Sequence, residues 1–169
     1  MKQLFLLRHA KSSWDDSSLP DHDRPLAPRG VRATAVLADH LRAADVAPSL
    51  VLCSPARRTR ETLEGIRDAL GADVEVQFER ELYGASAERL LERVGDVDDS
   101  VESVLLIGHN PGIADLALAL AGRGDDVEAL RGKYPTGAFA TLAFEGSWPD
   151  IAPGRAELTG YVTPKQLKK

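Results

Sequence analysis

The sequence predicts a three-layer α/β/α sandwich with a mostly parallel central sheet. Short apolar runs alternate along the chain with stretches of helical spacing, and the runs end at turn or helix-start residues. This alternation is typical of strands that receive helices on both faces of one sheet. The 169 residues contain no internal repeat and no linker-like stretch, so a single domain spanning 1–169 is expected.

The first part of the chain predicts a strand, a long loop and a helix. Residues 3–8 form an apolar run, and residues 10–28 are polar and contain three prolines. A loop of this length inside a compact domain is usually functional. A helix is predicted over 29–44, where small and apolar residues recur at near-helical spacing. Its predicted inner face consists of Val31, Ala35, Ala38 and Leu41.

Ser54 and Pro55 separate the second strand from the second helix. Residues 50–53 are apolar and predict the strand. Ser is a favourable N-cap residue and Pro suits the first helical position, so the helix is expected to begin here. Gly71 is expected to end it. Its predicted inner face consists of Thr59, Leu63, Ile66 and Leu70.

The rest of the chain predicts four strands and two helices. The strands are expected at 74–78, 104–107, 139–144 and 156–162, and the helices at 87–94 and 110–120. The last two strands are expected to pair antiparallel across 146–154. Residues 123–136 predict a polar loop, and the basic residues 165–169 predict a solvated end.

The composition argues against several classes of protein. The net charge is −5, which gives a nucleic-acid partner no support. No apolar stretch approaches the ~18 residues of a membrane span, and the first apolar run is too short for a signal peptide. Cys53 is the single cysteine, so no internal disulfide can form. A cytoplasmic location without a membrane partner is therefore expected.

Three clusters of polar residues follow three of the predicted strands. Arg8 and His9 follow the first, Ser54 and then Arg58 follow the second, and His109 follows the strand at 104–107. In open α/β sheets, ligands bind beyond the carboxyl ends of the strands. Two arginines and two histidines brought to one sheet edge predict an anion site that contains a possible nucleophile.

This set of residues suits the transfer of a phosphoryl group. A neutral imidazole such as that of His9 has one unprotonated nitrogen that can attack phosphorus, while a hydrogen bond to the other nitrogen sets the tautomer. Charge on the equatorial oxygens is stabilised by arginine forks and by donors at helix starts. Arg8, Arg58, His109 and Ser12 are the expected phosphate-binding groups.

The sequence also favours Arg58 over its two neighbours. Arg57 and Arg60 have Glu61 and Glu64 at the i+4 position, so surface ion pairs account for them. Arg58 has an uncharged threonine at that spacing, which leaves its charge without a local partner. Taken singly, each polar cluster also fits solvated loop residues or a helix cap; their joint occurrence favours a site.

A metal site is the competing use of histidine. The four histidines are His9, His22, His40 and His109, and none has the HxxxH spacing of a metal site. The sequence therefore predicts neither a metal nor a cofactor.

The three clusters resemble the motifs of the histidine phosphatase superfamily, which has the phosphoglycerate-mutase-like fold. Residues 6–12, LLRHAKS, resemble its Arg-His-Gly motif with Ala10 in place of glycine. Residues 54–62, SPARRTRET, resemble its SPxxRAxxT motif with Thr59 in place of alanine, and residues 108–111, GHNP, resemble the motif around the second histidine. Residues 23–26, DRPL, with Arg29 and Gly30 resemble the SixA-like phosphohistidine phosphatase branch.

The resemblance implies a phosphatase, a hydrolase that uses a covalent phosphohistidine intermediate. His9 would be the phosphorylated nucleophile, and Arg8, Arg58 and His109 would complete the pocket. The branch implies phosphohistidine in a protein as the substrate, so the expected partner is a phosphohistidine-containing protein. A small phosphomonoester, such as a sugar or nucleotide phosphate, is the alternative substrate. An inactive phosphate-binding module is a third, less favoured interpretation.

The general acid of the superfamily has no clear counterpart in this chain. Glu81 is the nearest candidate, and Asp15 and Asp16 are others. An imidazole leaving group is readily protonated, so a phosphohistidine substrate needs a strong acid less than an alkyl phosphate does. The chain also has no long insertion, which predicts an open, shallow site.

Overall fold

The computed structural model describes residues 1–71, 73–124 and 126–168. Seven strands form one sheet: β1 Lys2–Arg8, β2 Leu50–Cys53, β3 Glu75–Phe78, β4 Ser103–Gly108, β5 Ala121–Arg123, β6 Phe139–Phe144 and β7 Ala156–Val162. Six helices flank it: α1 Pro28–Ala43, α2 Arg57–Leu70, α3 Ala87–Gly95, α4 Gly112–Leu120, α5 Val127–Gly132 and α6 Pro164–Leu167. Three 3-10 turns complete the elements: Asp21–Asp23, Arg80–Leu82 and Trp148–Asp150.

The sheet has a parallel half and a mixed half. The strand order is β3-β2-β4-β1-β6-β7-β5, and the first four strands in that order are parallel to one another. Strand β6 pairs antiparallel with both β1 and β7, while β5 pairs parallel with β7. The predictions of a mostly parallel sheet and of an antiparallel β6–β7 pair are confirmed.

Helices cover both faces of the sheet, which gives the predicted three layers. Successive residues of β1 point to opposite faces, as the period of a strand requires. Phe5 and Leu7 pack with helices α1 and α2, where Leu41 and Ile66 are fully buried. Leu4 and Leu6 pack on the other face with α3, α4 and α5; the helix residues buried there include Leu90, Val94, Leu116 and Leu130.

The inner face of α1 is rotated from the predicted one. Val31 and Ala35 are exposed, whereas Gly30, Thr34 and Leu37 are buried with Ala38 and Leu41. Two close approaches set this rotation. A Cβ on Gly30 would lie 2.1 Å from the Lys11 carbonyl oxygen, and a Cβ on Gly65 of α2 would lie 2.1 Å from Thr34 Oγ1. The predicted inner face of α2 is confirmed.

Several predicted boundaries are wrong. Helix α2 begins at Arg57 with Ala56 as its N-cap, so Ser54 and Pro55 precede the helix. Helix α4 begins at Gly112, two residues after the predicted start. The expected polar loop over 123–136 contains helix α5, because Leu130 is buried in the core.

The C-terminal segment also differs from the solvated end that was predicted. Thr163 and Gln166 form a capping box that starts α6, and Leu167 packs against the core beneath α1. Residue 169 lies outside the described residues. Among the helices of the described chain, none combines the length and apolar character that crossing a membrane requires.

Candidate active site

The carboxyl ends of β2, β4 and β1 meet at one edge of the sheet. These strands are parallel neighbours, with Arg8 opposite Gly108 and Cys53 opposite Ile107. The residues that follow the strands therefore line a common cleft of about 230 Å³, a size that suits a phosphoryl group. Its basic lining residues are Arg8, Lys11, Arg24 and Arg58. No aspartate or glutamate of the described chain lines it.

His9 lies buried in this cleft with its tautomer set by the backbone. Its Nδ1 atom is 2.8 Å from the Ala10 carbonyl oxygen. A carbonyl only accepts, so Nδ1 carries the proton and Nε2 keeps its lone pair. Burial lowers the pKa of His9 to about 4, and the positive charges of Arg58 and Arg8 act in the same direction. The ring is therefore neutral near pH 7, as a nucleophile requires.

His109 is the second buried imidazole, and Ser54 orients it. His109 Nε2 is 2.7 Å from Ser54 Oγ, and the Ala56 backbone N–H donates to the same Oγ over 3.4 Å. When the hydroxyl donates to His109 Nε2, the ring proton lies on Nδ1. Nδ1 is buried and has no partner among the described residues. Burial lowers the pKa of His109 to about 3, with Arg58 contributing.

Arg8 also presents an unpaired donor. Its Nη1 donates to the Tyr134 carbonyl oxygen over 3.1 Å, while its buried Nε has no partner among the described residues. The Tyr134 hydroxyl donates to the Leu6 carbonyl over 2.6 Å and so ties this segment to β1. Arg8 Nε is thus a buried donor without an acceptor among the described residues, and His109 Nδ1 is a second one in the tautomer that carries its proton there; an anionic ligand would satisfy both.

Arg58 has distant partners, which its sequence neighbourhood did not indicate. It is buried, and its Nη1 and Nη2 donate to the backbone oxygen and carboxylate of Asp21 over 2.8 and 3.0 Å. Its Nε lies 3.4 Å from His9 Nε2. The partner of Arg58 is thus not a neighbour in sequence but Asp21, 37 residues away, and Arg58 lies in the cleft.

The two neighbours of Arg58 point elsewhere. Arg57 pairs with Glu61 over 2.9 Å, as the i+4 spacing predicted. Arg60 Nε donates to the Pro55 carbonyl over 2.8 Å, so its predicted pairing with Glu64 is wrong. Arg58 is thus the member of this triplet that reaches the cleft.

The profile of the histidine phosphatase superfamily, branch 1, matches residues 4–110, which contain the strand ends that carry the cleft. The chain belongs to this superfamily. The predicted family and its fold are therefore confirmed.

The relatives and solved structures that this chain resembles are named for several different activities. Phosphohistidine phosphatase SixA of Escherichia coli is 30% identical over 70% of this chain and 73% of its own length. A solved structure named as a candidate phosphohistidine phosphatase SixA of Nakamurella multipartitia superposes with a TM-score of 0.83, at 35% identity over 96% of both chains. A candidate α-ribazole-5′-phosphate phosphatase of Escherichia coli has a TM-score of 0.71 at 18% identity, over 97% of this chain and 98% of its own, which shows a shared fold.

The long loop between β1 and α1 adds Arg24 and Trp14 to the cleft. Arg24 is buried, and its Nη1 donates to Ser12 Oγ over 2.9 Å. The exposed Trp14 ring covers the Arg24 guanidinium at 3.5 Å. Ser12 lies in the cleft as expected, and its oxygen is already an acceptor for Arg24. Sequence reasoning did not assign Arg24 to the site, although the DRPL segment had singled it out.

Asp21 and Tyr83 were also missed. The Tyr83 hydroxyl donates to the Asp21 carboxylate over 2.6 Å, and the Tyr83 ring lies edge-on to His109 with centroids 5.4 Å apart. Hydrogen bonds from Tyr83 and Arg58 hold the pKa of Asp21 down to about 2. Asp21 is therefore ionised near pH 7 and offsets the charge of Arg58.

The carboxylates proposed from the sequence lie outside the cleft. Glu81 is exposed and lines a neighbouring depression with Tyr83 and His22. Asp15 and Asp16 are exposed in the long loop, where Asp16 accepts a hydrogen bond from Ser18. A group of three or more potential metal-ligating side chains is not found among the residues that the structure describes.

Proposed function

We propose that this protein is a metal-independent phosphatase that hydrolyses phosphohistidine in proteins through a covalent intermediate on His9. The observation that carries the proposal is the hydrogen bond from His9 Nδ1 to the Ala10 carbonyl. It leaves Nε2 unprotonated inside a cleft bordered by Arg8 and Arg58. The similarity to SixA proteins supports phosphohistidine as the substrate.

In the first step, His9 Nε2 attacks the phosphorus atom of the substrate. The bond from Nε2 to phosphorus forms as the bond from phosphorus to the substrate imidazole breaks. Arg58, Arg8 Nε and His109 Nδ1 donate to the equatorial oxygens, where negative charge accumulates. In the second step, water attacks the phosphorus of phospho-His9, which releases phosphate and restores the neutral ring.

The acid–base character of the cleft favours an imidazole leaving group. Asp21, the carboxylate that contacts Arg58, is held ionised because its pKa is about 2, so it is a poor proton donor near pH 7. An imidazole that leaves in its protonated form needs little help, whereas an alkoxide needs a general acid worth roughly 10²–10⁴-fold. Glu81 as the general acid stays a prediction.

The surroundings of the cleft also favour a protein substrate. The exposed Trp14 lines the cleft, and the exposed Tyr83 packs against His109 beside it. Its small volume encloses a phosphoryl group but gives few walls to the remainder of a small ester. In a protein substrate, the surface around the phosphohistidine would add contacts outside the cleft.

A parallel turnover assay tests the proposal. The protein, treated with EDTA, is given a phosphohistidine-containing protein and a panel of sugar and nucleotide phosphates. We expect kcat/KM to be highest for phosphohistidine and unaffected by the chelator. A higher kcat/KM for any small ester would favour the small-ester alternative, and phosphate binding without turnover would favour the inactive module.

A further inference from the structure

A large groove with a basic border adjoins the catalytic cleft. It has a volume of about 710 Å³ and lies between the start of α1, the end of α5 and helix α6. Its basic residues are Lys11, Arg29, Lys133, Lys165 and Lys168. Its floor includes apolar surface from Ala33, Pro135 and Pro164. The groove therefore combines contact area for a chain with positive charge along its sides.

The charge of this groove contrasts with that of the whole protein. The chain has a net charge of −5, yet no aspartate or glutamate of the described residues lines the groove. None of its five basic residues forms a salt bridge with a described residue. Such a concentration of one sign of charge attracts ligands of the opposite sign and speeds their encounter.

The groove and the cleft share a wall. Lys11 and Thr136 line both of them. The next residue, Gly137, donates its backbone N–H to the carbonyl oxygens of Arg8 and His9, over 3.0 and 2.9 Å. The wall is thus tied to the strand that carries the nucleophile, and a chain leaving the cleft past Lys11 enters the groove.

The far side of the groove is also tied to the core. The Tyr161 hydroxyl donates to the Lys133 carbonyl oxygen, and the Thr163 capping box holds the start of α6. These bonds therefore hold the backbone at Lys133 and Lys165 in place, while both side chains are exposed to a ligand.

We infer that this groove binds an acidic segment of the protein substrate, next to the phosphohistidine that enters the cleft. The inference rests on the proposed function and adds the determinant of substrate choice. Carboxylates of the segment would lie among the lysines, and its backbone would lie on the apolar floor.

Two synthetic phosphohistidine peptides test the inference. One carries glutamates beside the phosphohistidine, and the other carries glutamines at the same positions. At low ionic strength, we expect the wild-type kcat/KM to favour the glutamate peptide on the order of tenfold, through a lower KM. The double variant Lys133→Glu/Lys165→Glu should reduce this preference to about one. Arg67→Glu/Arg155→Glu changes the charge by the same amount at two exposed positions outside the groove, so it is the matched control and should keep the preference.

Salt supplies a test that needs no variant. Surface attraction is screened over about 3 Å at 1 M salt, so the wild-type preference should disappear there. Equal turnover of the two peptides at low salt would overturn the groove inference and leave the phosphohistidine phosphatase proposal standing. A preference that the double variant retains would also overturn it. Turnover of small esters without turnover of either peptide would overturn both proposals.

Discussion

The floor of the cleft and its rim are held in place by different kinds of contact. The floor consists of the residues that follow the parallel strands: Arg8, His9, Ser54 and His109. The rim consists of side chains from loops: Trp14 and Arg24 line the cleft, and Asp21 and Tyr83 lie just outside it against Arg58 and His109. The backbone of the floor is positioned by the sheet, as in the bond from His9 N–H to the Gly108 carbonyl at 3.1 Å, and His109 also depends on a side-chain bond, to Ser54. The rim is held mainly by bonds between side chains.

Because of this difference, we expect the floor to carry out the reaction and the rim to adjust its rate. Apart from the half-buried Arg8, the floor is buried, and it is preorganised because its geometry follows from the register of the sheet. Apart from the buried Arg24, the rim is exposed, so water and salt weaken the ion pairs that Asp21 forms there. Arg58 joins the two regions, since it contacts both His9 and Asp21. Substitutions in the floor should therefore abolish turnover, and those in the rim should adjust it.

Removing the nucleophile should have the largest effect. His9→Ala leaves no nitrogen to attack phosphorus, so kcat/KM on a phosphohistidine peptide should fall on the order of 10³-fold or more. Mass spectrometry after acid-free quenching should find phosphate on His9 of the wild type. His40→Ala, on α1 outside the cleft, is the control. Near-normal turnover by His9→Ala would refute the mechanism.

Removing Arg58, which joins floor and rim, should have the second-largest effect on turnover. Arg58→Ala should lower kcat/KM on the order of 10²-fold, because it removes a preorganised donor from the transferring phosphoryl group. Arg57→Ala removes only a surface ion pair with Glu61 and should stay within about twofold. Steady-state kinetics of both variants test whether Arg58, and not Arg57, binds the phosphoryl group. A larger loss in Arg57→Ala than in Arg58→Ala would contradict this assignment.

The buried floor should also make stability depend on pH. Unfolded histidine has a pKa near 6.5, whereas burial holds the pKa of His9 at about 4 and that of His109 at about 3. Between these values the unfolded chain binds more protons than the folded one, so stability falls as the pH decreases from about 6.5 toward 4.

Urea unfolding at two pH values measures this dependence. When the pH is lowered from about 7 to 5, the His9 and His109 rings should each decrease the free energy of unfolding by about 2 kcal/mol. His9→Gln should therefore lose about 2 kcal/mol less than the wild type over this interval. Equal losses would show that the His9 pKa is not lowered by folding.

A change of charge in the rim should have a moderate effect. Asp21→Asn removes the carboxylate that offsets Arg58, so inorganic phosphate should inhibit the variant about threefold to tenfold more strongly. Asp23→Asn changes a neighbouring exposed carboxylate without touching Arg58 and serves as the control. A loss of ester turnover of 10² or more in Asp21→Asn would instead make Asp21 the general acid.

Glu81 should have the smallest effect on phosphohistidine turnover. It is exposed outside the cleft, so Glu81→Gln should change kcat/KM on the phosphohistidine peptide less than about twofold. Small esters are the discriminating substrates for this variant. A selective loss of ester turnover of roughly 10²–10⁴-fold would assign the general acid to Glu81.

The sequence by itself determined the parallel half of the sheet and the main residues of the cleft. Apolar runs followed by polar clusters identify strand ends, and parallel neighbours place such ends at one edge. Arg8, His9, Arg58 and His109 were therefore predicted to converge, and the structure places all four in one cleft. The same periodicity located the inner face of α2.

Only the tertiary structure decided the rim, the role of Ser54 and the basic groove. A serine before a proline has the local chemistry of an N-cap, but here its hydroxyl satisfies the imidazole of His109, 55 residues away. Asp21 lies 37 residues from Arg58, and the groove unites Lys11 with Lys133 and Lys165. Periodicity and capping rules act over a few residues, whereas these contacts depend on which surfaces the packed layers bring together.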